Sequence, residues 1–431
     1  MCAALAPFPT QAGLHDLQRH LATAEEGKLR EIVALVDSLP DRGAADGLIA
    51  PLRGRLQKIK PGRRLNTTRL LFQPANGLIV AVTQWRRGTL TLPRQALPCL
   101  AKLLRGEMGA EFDAIAHATE GTMSDDHLAL LRAGRLLWPR AAAIFAQAPM
   151  PPEWPGMTGL GLADFTATVR PLAVLLGEAV CIEELVQIGA GDEDFSRKAM
   201  RRCLARAMMT VSTLPERGDA AVAGRCLGML LAVCLERLPD QQIPLLAAGD
   251  LTSRGHDPAP RIAADAAIDA SLDQAQARLA DPSVAFSMED VHRLAMLLET
   301  LDQPGPAGRP ARKPRVTALR RALDSHCRAR FEAEISTSLL PGIAGLGTAN
   351  SASSLAALEE VARDLRRLEA VGRSLGSQAH FDRALSDCAR AVPGLATAAR
   401  PIDLARVVEI LQGPEAALAV LEASCRVVNA G

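Results

Sequence analysis

"GRCLGMLLAVCLERL", residues 224–238, reads as an apolar helix. Its Leu, Met and Val side chains recur at three- and four-residue spacing, the helical period, and Cys226 and Cys234 sit among them as small buried hydrophobes. None of the nine cysteines forms a C-x-x-C pair, and an odd count without a framework points to a reducing compartment.

The same spacing continues along the chain. It predicts helices near 14–38 (broken at Gly27), 46–58, 93–118, 124–147, 162–188, 194–211 and 217–237. Others are expected near 259–280, 287–302, 316–336, 353–375, 378–391, 403–412 and 414–427. Ser287 with Asp290 forms a capping box, Gly413 then Pro414 ends one helix and starts another, and Asp403 is read as an N-cap. Composition agrees: 48% of the 431 residues are hydrophobic but only 3% aromatic, with no Tyr, so cores must be built from aliphatic side chains suited to close-packed helices.

The expected fold is therefore all-α, an irregular helical-hairpin array or bundle, with no fixed repeat. One exception is foreseen: "PANGLIVAVTQWRRGTLTLP" carries turn signals at Asn76-Gly77 and Arg86-Arg87-Gly88 around Val-, Ile- and Thr-rich runs. A small β-hairpin is expected near 78–92. Proline and glycine density places a basic linker at 303–315. The expected organisation is an N-terminal helical module 1–150, a central array 151–302, that linker, and a C-terminal helical domain 316–431. The uncharged run from Ile335 to Leu358 reads as a loop with helix edges because it holds Pro341, glycines and hydroxyl residues. The first residues lack a basic stretch ahead of their short apolar run, so the expectation is a cytoplasmic, bacterial protein with no integral membrane association.

Charge is distributed unevenly. From Gly47 to Gly106 there is no acidic residue, while Arg53, Arg55, Lys58, Lys60, Arg63, Arg64, Arg69, Arg86, Arg87, Arg94, Lys102 and Arg105 supply twelve positive charges. The remainder holds 37 basic and 48 acidic side chains, so a net charge of +1 conceals a polarised chain. Such a tract either pairs internally with the acidic remainder or attracts an external anion. The expected role is a non-enzymatic helical scaffold or adaptor docking an anionic surface, most of all an acidic protein partner. The anion-binding residues proposed for it are Arg53, Arg55, Lys58, Lys60, Arg63, Arg64, Arg69, Arg86, Arg87 and Arg94.

Duplex DNA is the alternative partner. "NTTRLLF" would then be a recognition helix and Arg86-Arg87 the tip of a winged-helix wing. A second basic cluster lies at Arg309, Arg312, Lys313, Arg315, Arg320 and Arg321.

Catalytic and metal motifs are weak. Glu289 and His292 share a helix face but lack the second E-x-x-H that a di-iron bundle requires. Asp16 with His20 and Asp113 with His117 read as helix-surface pairs. His326 and Cys327 are adjacent on a helix and diverge by about 100°. "PGIAGLGTANS" lacks a P-loop lysine, and "GDEDFS" fits dipole compensation at a helix start. No catalytic residue, cofactor or metal site is expected.

Overall fold

The computed structural model describes residues 64–81, 85–124, 126–188, 193–216, 218–255, 258–280, 286–303, 309–346, 351–395 and 400–430. Among them the architecture is all-α, with one tiny β pair. The helices expected at 14–38 and 46–58 lie outside the described residues. The chain falls into two compact units that divide between Ala270 and Ser271.

In the first unit, α1 (Thr67–Phe72) leads to β1 (Ile79–Val80) and β2 (Leu92–Pro93). Next come α2 (Ala96–Met108), α3 (Ala110–Ala118), α4 (His127–Gln147), α5 (Trp154–Thr158), α6 (Leu162–Ile188), α7 (Glu193–Thr213), α8 (Ala220–Arg237) and α9 (Gln242–Gly255). The division falls inside α10 (Ala259–Ala280).

Helix α6 organises this unit, packing against α4, α7 and α8. Between Asp164 and Ala179 only Thr166 and Gly177 escape burial. A helix apolar around its whole circumference has no face for water, and each fully buried Leu or Val contributes roughly 1.5–3 kcal/mol. It is long and apolar enough to cross a membrane, yet 78% of its most apolar window is buried within the protein, as in a core helix.

The β pair departs from expectation. Its strands run parallel, with Leu92 N–H donating to the Leu78 carbonyl (2.8 Å) and Arg94 N–H to that of Val80 (2.9 Å). Neither turn signal joins paired strands: Gly77 (φ +99°) follows the 3-10 turn Gln73–Ala75, and Gly88 (φ +94°) bends the middle of the connection. The eleven residues between the strands are long enough to bring the second strand back in the same direction. Further differences are helical. The run expected at 93–118 breaks at Gly109 (φ +53°), and α9 was not foreseen.

The second unit contains α11 (Met288–Asp302), α12 (Lys313–Glu334), a π turn (Ile335–Leu339) and α13 (Leu340–Gly345). It continues with α14 (Ser351–Leu375), α15 (Gln378–Leu395), α16 (Pro401–Gln412) and α17 (Pro414–Ala430). Of the expected linker, Pro310–Arg312 is a 3-10 turn and Lys313 already begins α12. The reading of 335–358 as a loop is corrected: 335–345 is helical. Its hydroxyls bond back to the preceding turn, Thr337 Oγ1 donating to the Ala333 carbonyl (2.7 Å) and Ser338 Oγ to the Glu334 carboxylate (2.9 Å). Pro341 sits in the first turn of α13, where an N–H is dispensable.

Ser287 and Asp290 form the expected capping box, and Gly413 (φ +90°) separates α16 from α17. Asp403 is not an N-cap. The helix starts two residues earlier at Pro401, and Asp403 instead accepts both Nε (2.7 Å) and Nη2 (3.0 Å) of Arg400.

Phe331 and Phe381 meet edge to face, centroids 5.0 Å apart, and Phe381 lies directly over Gly372 of α14. A Cβ on Gly372 would come within 2.1 Å of that ring. Gly372→Ala is therefore expected to destabilise the protein by about 1–3 kcal/mol through overpacking. Gly106→Ala, whose added methyl meets nothing within 4 Å, should stabilise by about 0.5–1 kcal/mol. Urea unfolding of the two variants checks the opposite signs.

Candidate anion-binding groove

The second part of the connection from β1 to β2, residues 85–91, is fixed by its own side chains. Trp85 is buried and its indole donates to the Thr91 carbonyl (3.1 Å), while Arg86 Nη1 folds back on the Trp85 carbonyl (2.8 Å). Leu90 packs against α8 at Gly228, where an added Cβ would lie 3.0 Å from it. These anchors send Arg87 the other way. Its Nε donates to Asp164 Oδ1 at 2.6 Å, in the first turn of α6, which holds that carboxyl below its ordinary range.

Beside this pair opens a groove of about 570 Å³, bordered by Arg87, Met150, Leu162, Arg170, Glu216 and Arg225. Arg170 is its fixed floor. Only 5% exposed, it donates to both Glu216 oxygens (2.9 and 3.1 Å), and its Nη1 reaches the carbonyls of Phe145 (2.7 Å) and Ala148 (3.1 Å). Those carbonyls end α4, where the helix dipole favours a cation. Arg225 differs: its Nε is buried and meets no acceptor among the described residues. A buried donor without a partner costs about 1–3 kcal/mol until an acceptor arrives. The groove therefore combines one satisfied guanidinium, one part-buried ion pair and one buried donor without an acceptor among the described residues.

Of the expected docking residues, Arg53, Arg55, Lys58, Lys60 and Arg63 lie outside the described residues. Arg64 and Arg94 are exposed and meet no acidic partner among the described residues, and Arg86 is exposed beside Trp85. Arg69 turns its guanidinium onto the Arg64 carbonyl. Arg87, Lys102 and Arg105 are matched to Asp164, Glu153 (2.9 Å) and Asp113 (2.8 Å). The internal pairing that the acid-free tract left open thus accounts for three of these cations. In the second cluster, Arg312 is buried, while Arg315 and Arg320 pair with Asp273 and Asp302.

Other motifs resolve locally. The foreseen Asp113–His117 pair is replaced, with Asp113 on Arg105 and His117 beside Glu120 (3.1 Å). Glu289 pairs with Arg293 rather than facing a metal, and among the described residues no three His, Cys, Asp or Glu side chains gather to hold one. Asp16 and His20 lie outside the described residues. Among the described residues the strands either side of Arg86 and Arg87 pair parallel rather than as an antiparallel wing, and Leu70, Leu71 and Phe72 of "NTTRLLF" are buried in the core.

A second cleft of about 350 Å³ in the C-terminal unit brings Glu332, His380, Arg383, Asp387 and Cys388 together. Its imidazole stands 3.5 Å from Glu332, too far for a strong hydrogen bond.

Sequence reasoning missed Arg170 and Arg225. The signal for Arg170 was present, a lone cation inside the apolar run "DFTATVRPLAVLL". Comparison with protein-family models, curated proteins and solved structures finds no match.

Arg170→Met should lower stability by about 3–5 kcal/mol, because Glu216 and two helix-end carbonyls lose their partner. The carboxyl of Asp164 titrates below its unfolded value. Its contribution is thus complete above the ordinary carboxylate range and is lost as pH falls through the depressed folded value. Asp164→Asn should flatten the acid limb of a stability-versus-pH curve.

Proposed function

We propose that this chain is a cytoplasmic, non-enzymatic helical scaffold or adaptor that docks an acidic segment of a partner protein in the groove beside Arg87. The carrying observation is Arg225, whose buried Nε faces no acceptor at the edge of a concave, partly apolar surface. A Glu or Asp side chain supplies the matching oxygens, and charge-assisted hydrogen bonds of this kind are roughly twice as strong as neutral ones. Exposed Arg64 and Arg94 add a diffuse positive field that favours encounter with an acidic chain. The apolar border at Met150 and Leu162 gives such a segment somewhere to place aliphatic side chains. Duplex DNA is the competing outcome.

The test uses the full chain with polyglutamate and a mixed-sequence duplex as probes, titrated at low and moderate salt. Salt-sensitive binding of polyglutamate that is weakened at least tenfold in Arg94→Glu/Arg225→Glu, with feeble duplex binding, is the expected result. Unchanged polyglutamate binding in the folded double variant would overturn the reading. Duplex binding that dominates and falls steeply with salt would replace it with the DNA-associated one.

A further inference from the structure

Helices α6 and α7 carry matched charges and thiols in one register. Glu178 of α6 and Arg206 of α7 form a salt bridge in which Arg206 reaches both carboxylate oxygens. The segment joining the helices is only four residues long, residues 189–192, so the two run antiparallel. In an antiparallel pair, three residues forward on one helix faces three residues back on the other. The contact of 178 with 206 therefore sets 181 opposite 203, and both positions are cysteine.

The side chains bear out this register. Cys181 and Cys203 are close enough to feel each other's charge, both feel that of Glu178, and Arg206 acts on Cys181 as well as on Glu178. Cys181 is half-buried and Arg206 half-exposed, so the first thiol can be approached from solvent, while Cys203 is buried behind it. Both are free thiols.

We infer that Cys181 and Cys203 form a peroxide-reactive dithiol in which Cys181 is the attacking sulfur and Cys203 the resolving one. The Cys181 thiolate attacks one oxygen of hydrogen peroxide. The O–O bond breaks, the leaving oxygen departs as water after protonation, and Cys181 becomes a sulfenic acid. Cys203 then attacks that sulfur. The S–O bond breaks, a second water leaves with the Cys203 proton, and an S–S bond forms. The two sulfurs lose two electrons and the peroxide gains them. This inference is independent of the docking role.

The surroundings suit each sulfur to its part. Hydrogen bonds from Cys203 and Arg206 bring the Cys181 thiol down to about 7, against the opposing charge of Glu178. The Cys203 thiol is pushed up by its bond to Cys181 and by burial. Cys234 on α8, the third thiol nearby, is fully buried and also pushed up by burial.

The full-length protein treated with a slight excess of hydrogen peroxide, then alkylated and digested without reductant, should yield a Cys181–Cys203 linkage that dithiothreitol reverses. In untreated protein, iodoacetamide at neutral pH should label Cys181 about tenfold faster than Cys226 or Cys327, whose thiols burial raises to about 12. Cys203→Ser should leave Cys181 as a sulfenic acid trapped by dimedone, and Arg206→Gln should slow its alkylation. A linkage from Cys181 to Cys234, or peroxide treatment that leaves both thiols free in the wild-type protein, would overturn the assignment whatever the variants do.

Discussion

The three most deeply buried charges on one largely apolar helix constrain the first unit. Arg170, Glu178 and Glu183 lie along α6 at 5%, 4% and 3% exposure, in a segment otherwise made mostly of Leu, Val, Ile and Ala. A charge moved from water into such surroundings costs several kcal/mol, so each must meet an opposite charge in good geometry. Each does, on a different element: Arg170 with Glu216 before α8, Glu178 with Arg206 of α7, and Glu183 with Arg237 of α8 (2.9 Å). Dispersion and burial hold the helices together without direction. The ion pairs add what apolar packing lacks, a fixed rotation and register for each neighbour.

The groove and the dithiol both descend from that register. Arg170 can close the end of α4 and line a cleft because Glu216 holds it there. Cys181 faces Cys203 because Glu178 and Arg206 have already set α6 against α7. One helix with three such buried ion pairs thus positions two chemically different surfaces.

Much of the architecture was legible in the chain. The spans 162–188 and 259–280 are helical over the expected residues, and the Ser287 box and Gly413 break fall where capping chemistry puts them. These features depend on neighbours a few residues apart. The misreadings depend on more. Asn76-Gly77 carries a hairpin signal, but Leu90 docking on Gly228 pulls the chain into a parallel crossover. Pro341 and its hydroxyl neighbours look like a loop until a π turn gives the hydroxyls carbonyls to bond. The basic tract was legible as charge but not as surface, since Asp164, Glu153 and Asp113 answer three of its cations from 8 to 77 residues away. Arg225 and the Cys181–Cys203 pair gave no local signal, because each arises only when separate helices meet.

The central claim is that paired charges on α6 fix the first unit, and hydrogen exchange measures this most directly. In the wild-type protein, amides of residues 165–185 should be the slowest to exchange between residues 64 and 270. Glu183→Leu, which strands Arg237, should accelerate exchange along the whole of α6 and in the facing turns of α8. Exchange in the variant that is unchanged beyond the substituted turn would contradict the account.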